Sequence, residues 1–151
     1  MSSHATRPER DTAIDPGGMI VVACLGHRCA GLHIVRTDQN GLGPLSELKS
    51  AVRTSVAGVL ITTGCMGPCS QGAVVGVGHR VARRIGERLV AKDMMLLGGI
   101  EQAPRLEALT TWFADGGPAR TPLPAPLLTE ALLRNPNLSP PPGPGFRPTA
   151  R

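Results

Sequence analysis

The sequence predicts an α/β domain with a central mixed sheet of about four strands, two main helices and disordered termini. Three observations carry that expectation. Short apolar runs rich in β-branched residues, at 19–23, 58–63 and 73–77, read as buried strands. Two stretches, beginning at Leu45 and Glu101, repeat apolar residues every three or four positions, the period of a helix. The third is the supply of core residues: Trp112, Phe113 and Phe146 are the only aromatics in 151 residues, so the interior must be aliphatic.

Taken in order, residues 1–18 are polar and mixed in charge and read as a disordered leader, ended by Pro16-Gly17-Gly18. Met19-Ile20-Val21-Val22-Ala23 is apolar throughout, as expected of a central strand. It runs directly into Cys24-Leu25-Gly26-His27-Arg28-Cys29, a segment at the carboxyl end of a strand, where open α/β sheets hold their sites. Residues 31–44 stay open between a short strand and an extended connection, closing on the turn Gly41-Leu42-Gly43-Pro44. A helix then sets Leu45, Leu48, Val52 and Val56 against a polar side of Ser46, Lys49, Ser50 and Arg53. After the strand at 58–63 comes Gly64-Cys65-Met66-Gly67-Pro68-Cys69-Ser70-Gln71-Gly72, a loop held at both ends by strands. The basic stretch 79–88 fits a hairpin or a short helix. Met94-Met95-Leu96-Leu97 reads as a last strand, broken by Gly98-Gly99. A second helix over 101–114 carries Pro104 in its first turn and Leu106, Leu109, Trp112 and Phe113 on its apolar face, and Asp115-Gly116-Gly117-Pro118 stops it. The domain so defined spans 19–118. Residues 119–151 form a Pro-rich tail in which 127–134 could make one short helix. The succession β, α, β, β, β, α resembles that of the thioredoxin fold.

The net charge is +5, and all the basic residues except Lys49 and Lys92 are Arg. No aromatic residues interleave with them and no nucleic-acid motif is present, so a nucleic-acid partner is poorly supported. A basic face suits an acidic protein partner, because opposite charge raises encounter rates. No stretch approaches the ~20 apolar residues of a membrane span, and 1–18 lacks the apolar core of a signal peptide. The expectation is a cytoplasmic protein without a membrane partner, its thiols kept reduced. No nucleophile motif is present, and Gly72-x3-Gly76-x-Gly78 does not match a phosphate-binding fingerprint. The chain does not read as an enzyme in its own right.

Four cysteines in two close pairs point to metal, cluster or redox chemistry. Cys24 and Cys29 are spaced C-x4-C, and Cys65 and Cys69 C-x3-C. A 2Fe-2S cluster takes four thiolates, usually two for each iron. Cys24 and Cys29 would hold one iron and Cys65 and Cys69 the other, provided that the two strand-end loops meet. Backbone N–H groups of the Gly-rich loops, with His27, Arg28 and Arg80, are candidates to stabilise the reduced form. Two other readings stay open. Four cysteines can hold zinc, usually from C-x2-C knuckles, in a redox-silent regulatory or interaction module. Cys65 and Cys69 could also serve as a thiol–disulfide switch. His4 falls in the leader, and His33 and His79 read as surface or loop residues. Met66 is either a shield over the cysteines or an ordinary loop contact, and the basic run at 79–92 either a solvated face or a dock.

Thr63-Gly64-Cys65-Met66-Gly67-Pro68-Cys69, with Gly72-Ala73-Val74-Val75 after it, resembles the second cluster loop of thioredoxin-like 2Fe-2S ferredoxins. A similar loop occurs in the small subunit of respiratory NADH dehydrogenase, which the C-x4-C spacing of the first pair also resembles. Leu97-Gly98-Gly99-Ile100 before a helix, then Ala114-Asp115-Gly116-Gly117-Pro118, is similar to the C-terminal half of short bacterial members. The resemblance covers about residues 19–118. It implies Cys24, Cys29, Cys65 and Cys69 as ligands and one-electron carriage between a reductase and an oxidoreductase partner. In some members it implies a homodimer.

Overall fold

Alternate residues of a strand face opposite sides of the sheet, and the first long strand uses both. Met19, Val21 and Ala23 are buried on one side, Ile20 and Cys24 on the other. A computed structural model describes residues 13–67 and 69–127, with the backbone alone for Cys69, Leu132 and Leu133. The elements are β1 (Ile14–Asp15), β2 (Gly18–Cys24), α1 (His27–Val35), α2 (Pro44–Thr54), β3 (Val59–Thr63), β4 (Val75–Arg80), β5 (Arg83–Arg84), β6 (Ala91–Leu97), α3 (Ala103–Ala114) and β7 (Leu132–Leu133). Single 3-10 turns lie at Cys69–Gln71, Gly117–Ala119 and Ala125–Leu127.

The architecture is mixed α/β, as the apolar runs predict. A five-stranded sheet has the order β3-β2-β4-β6-β7, and β1 pairs with β5 in a separate ribbon. β2 is parallel to β3 and antiparallel to β4, and β6 is antiparallel to β4 and β7. Parallel neighbours need a crossover, which α1 and α2 supply. Cys24 therefore stands opposite Thr63 and Ala23 opposite Val75, so three chain segments meet at one end of the sheet.

The main core lies between one sheet face and the pair α2 and α3. Met19, Val21, Ala23, Val75, Val77 and Leu97 meet Leu48 and Val52 of α2 and Leu106, Leu109, Trp112 and Phe113 of α3. Full burial of each large side chain contributes about 1.5–3 kcal/mol. α2 begins with Pro44 at its first position, and the Ser46 hydroxyl accepts the Gly43 N–H at 2.9 Å. Among the described residues, no helix is long and apolar enough to cross a membrane.

The structure corrects several boundaries. A third helix, α1, occupies 27–35, where a loop and then a strand or connection were expected. It is short, contains Gly31 and has no side-chain cap, so little in its local sequence announces it. Burial of Cys29 and His33, one turn apart, is what fastens it. The last expected strand begins at Ala91 rather than Met94. The stretch 79–88 takes the hairpin alternative rather than the helix: β4 runs on to Arg80 and pairs antiparallel with β6 across the connection 81–90, within which Arg83–Arg84 pairs with Ile14–Asp15.

The end of the expected 1–18 leader thus belongs to the fold. Arg80 is buried and donates to Asp15 Oδ2 at 2.6 Å and to the Ala57 carbonyl at 2.6 Å, while Arg83 Nε reaches Asp15 at 3.4 Å. At the other end, the boundary at 118 falls too early. Leu127 is fully buried in the main core, Leu123 packs against it, and Trp112 Nε1 donates to the Thr121 carbonyl at 3.1 Å. The described part of 127–134 is a 3-10 turn and a strand rather than a helix. Residues 1–12, 128–131 and 134–151 of the expected leader and tail lie outside the described residues.

Candidate functional site

The two cysteine-bearing segments meet. β2 delivers Cys24 at its last position, and only Leu25 and Gly26 separate it from α1. Cys29 follows in the first turn of that helix, not in an open loop as expected. The second segment leaves β3 at Thr63 and returns to β4 at Val75. The Leu25 N–H donates to the Thr63 carbonyl at 2.8 Å and the Cys24 N–H to the Val74 carbonyl at 3.0 Å. A Cβ on Gly26 would stand 3.0 Å from both Cα and Cβ of Cys65, so Gly26 is what lets the second segment lie this close.

The thiols differ in environment. Those of Cys24 and Cys29 are fully buried, and with Val74 and Leu96 they form a small apolar group on the second face of the sheet. Met66 packs against that group, a contact that suits either reading of it. Cys24 Sγ donates to the Gly64 carbonyl at 3.3 Å and Cys29 Sγ to the Gly72 carbonyl at 3.7 Å. Both thiols of the first segment therefore point at the backbone of the second. Cys65 is exposed, and the Gly67 N–H donates to its sulfur at 3.4 Å. Gly67 has φ +108°, a left-handed conformation that suits glycine.

Cys69 lies in the 3-10 turn Cys69–Gln71, and its side chain falls outside the description. Among the described residues, no three His, Cys, Asp or Glu side chains are gathered closely enough to grip a metal ion. The carbonyls that hold Cys24 and Cys29 lie eight residues apart in the second segment, which keeps these two sulfurs aimed at different points. The donor set is nevertheless all sulfur, carried on two segments in contact and sheltered by apolar side chains. It fits a thiolate-ligated group in kind, while the Cys24 and Cys29 thiols are directed at two separate backbone carbonyls.

The other candidates sort by position. His27 and Arg28 are exposed at the start of α1, beside the first segment. Arg80 cannot add charge at the cysteines: it sits at the far end of β4 from Val75 and is paired with Asp15. The ribbon with Arg83 and Arg84 lies at that same far end. His33, expected at the surface or in a loop, is buried, and neither ring nitrogen has a hydrogen-bond partner among the described residues. Burial pushes its pKa below the ordinary value, and the charge of Glu101 partly opposes that. His79 is half-buried in β4 rather than in a loop.

Two residues near the site escape sequence reasoning. One is His33, legible only once α1 is recognised, because it then stands one turn from Cys29 on the same face. The other is Glu101, whose Oε2 accepts the Ala73 N–H at 2.8 Å, and nothing in its sequence context marks it. A cleft of about 360 Å³ beside the site is lined by Arg28, Gln71, Gly72, Glu101, Gln102 and Arg105, among others. Comparison of the chain with protein-family models, curated proteins and solved structures gives no match.

Proposed function

We propose that the chain is a one-electron carrier of thioredoxin-like fold, with a 2Fe-2S cluster held by Cys24, Cys29, Cys65 and Cys69. The observation that carries the reading is the contact of Gly26 with Cys65, which brings the two cysteine pairs to one end of the sheet. The strand order β3-β2-β4-β6-β7, with only β2 and β3 parallel, is compatible with a thioredoxin-like layout.

When bound, such a group supplies reversible one-electron reduction. The chain's part is binding and tuning. Cys24 and Cys29, which donate to the Gly64 and Gly72 carbonyls, would hold the group as thiolates. Val74, Leu96 and Met66 keep water from the inner two sulfurs. The Gly67 N–H, which donates to Cys65 sulfur, would stabilise negative charge there and so favour the reduced form of a bound group. Cys65 is the exposed side and so the side a partner would approach. That partner would be a reductase or an oxidoreductase, acidic at its contact surface, in the cytoplasm. Arg28 is the nearest of the assigned basic candidates, and a second copy of the chain is a further partner.

The test is anaerobic reconstitution of the full chain with ferrous iron and sulfide. Cys65→Ser and Cys69→Ser should each abolish or severely distort the visible spectrum. A normal spectrum and iron content in both variants would refute the ligand assignment. A colourless protein that binds zinc at one ion per chain would favour the structural-module reading.

A further inference from the structure

The turn that receives the Cys29 thiol is gripped from behind. Gly72 and Ala73 join the 3-10 turn at Cys69–Gln71 to β4, and Cys29 Sγ donates to the Gly72 carbonyl at 3.7 Å. Ala73 is fully buried, so its N–H has no water to turn to. It donates to Glu101 Oε2 at 2.8 Å, while its carbonyl accepts the Ile100 N–H at 3.1 Å. Both polar groups of this peptide position are thus satisfied by the short segment that precedes α3. Gly72 has φ +82°, and a Cβ there would lie 2.7 and 2.9 Å from the two Glu101 carboxylate oxygens. One residue earlier, a Cβ on Gly98 would lie 2.6 Å from the Gln71 carbonyl. The backbone from 71 to 73 is therefore clamped between the cysteine-bearing helix and the segment 98–101.

We propose that Glu101 is a positioning residue for the cysteine site. Its carboxylate latches the Gly72–Ala73 turn and so holds the carbonyl against which Cys29 is aligned. A carboxylate suits this task because charged acceptors make the stronger hydrogen bonds, and a buried N–H left without a partner is costly. The latch acts through the backbone, by the Ala73 N–H. Its importance for metal loading rests on reading Cys29 as a ligand, whereas the latch itself does not.

The experiment is site-resolved alkylation of the reduced, metal-free full chain by iodoacetamide, read by peptide mass. Exposed Cys65 serves as the internal reference. Losing the partner of a buried donor should loosen the turn so that Cys29 reacts about tenfold faster in Glu101→Ala. Cys24, held by Gly64, should change by less than about twofold. Glu101→Gln keeps an acceptor oxygen of the same reach and should restore the slow rate. An unchanged Cys29 rate in Glu101→Ala, or Glu101→Gln as fast as Glu101→Ala, overturns the latch. If Glu101→Ala does not fold, Glu101→Asp, with the carboxylate withdrawn by one methylene, supplies the same comparison. The same preparations are reconstituted with iron and sulfide. A colourless wild type whose Cys29 still responds to Glu101 overturns the cluster and keeps the latch. A normal chromophore with an unresponsive Cys29 does the reverse.

Discussion

Gly26→Ala probes the contact on which the site depends. Gly26 has φ −59° and ψ 160°, a conformation any residue adopts, so the substitution carries no backbone strain. Its effect is therefore steric. The new Cβ would meet Cys65 Cα and Cβ at 3.0 Å and Cys65 N at 3.2 Å, where ordinary carbon contacts are about 3.5–4.0 Å. The second segment must retreat by about half an ångström or more, because the obstacle is largely backbone. Overpacking of this kind costs roughly 1–3 kcal/mol, and an exposed, yielding loop puts the expected loss at about 1–2 kcal/mol. Gly31→Ala in the same helix is the control. A Cβ there meets nothing within 4 Å, and exchanging a helical glycine for alanine should stabilise by about 0.5–1 kcal/mol. Urea unfolding of the reduced full chain reads both signs. Reconstitution should give a disturbed chromophore for Gly26→Ala and an ordinary one for Gly31→Ala. Equal stabilisation by both substitutions would refute the contact between the two cysteine segments.

Two further outcomes are expected. Leu127→Ala should cost about 2–5 kcal/mol in urea unfolding, because the side chain is fully buried in the main core; a loss below about 0.5 kcal/mol would put the core boundary back near Pro118. His33 has a depressed pKa in the folded chain, so the unfolded chain takes up its proton first. Stability should fall as pH drops below the ordinary value of 6.5 and level off below the depressed value. His33→Leu should flatten that slope below the ordinary value of 6.5, and unchanged slopes would mean that the imidazole is not held neutral.

The strands were legible because β-branched runs such as 19–23 and 73–77 must be buried wherever they lie. α3 was legible because Pro104, the apolar face ending in Trp112 and Phe113, and Asp115 onward all agree. α1 was not, because its glycine and missing cap hide a helix fixed by tertiary burial. That one omission moved Cys29 from a loop into a helical turn and left His33 looking exposed. The basic run at 79–88 misled for a different reason. Its charges lie away from the cysteines, and the first of them is not free: Arg80 is consumed by Asp15, Gly17 and Ala57, contacts between residues far apart in the chain, while Arg84 and Arg88 stay exposed. Proline content likewise concealed Leu123 and Leu127, whose side chains the core uses. The cysteine spacings marked the site, but the contact between Gly26 and Cys65 is set by sheet register and has no local signature.

The central claim is that the cysteine pairs hold iron and sulfide together. Iron, acid-labile sulfide and zinc should be measured on anaerobically purified full chain, with electron paramagnetic resonance after reduction. The account predicts iron and sulfide in equal amounts, about two of each per chain, and a paramagnetic reduced state. Zinc without sulfide, or four thiols that all titrate in a chain that accepts no iron, would contradict it.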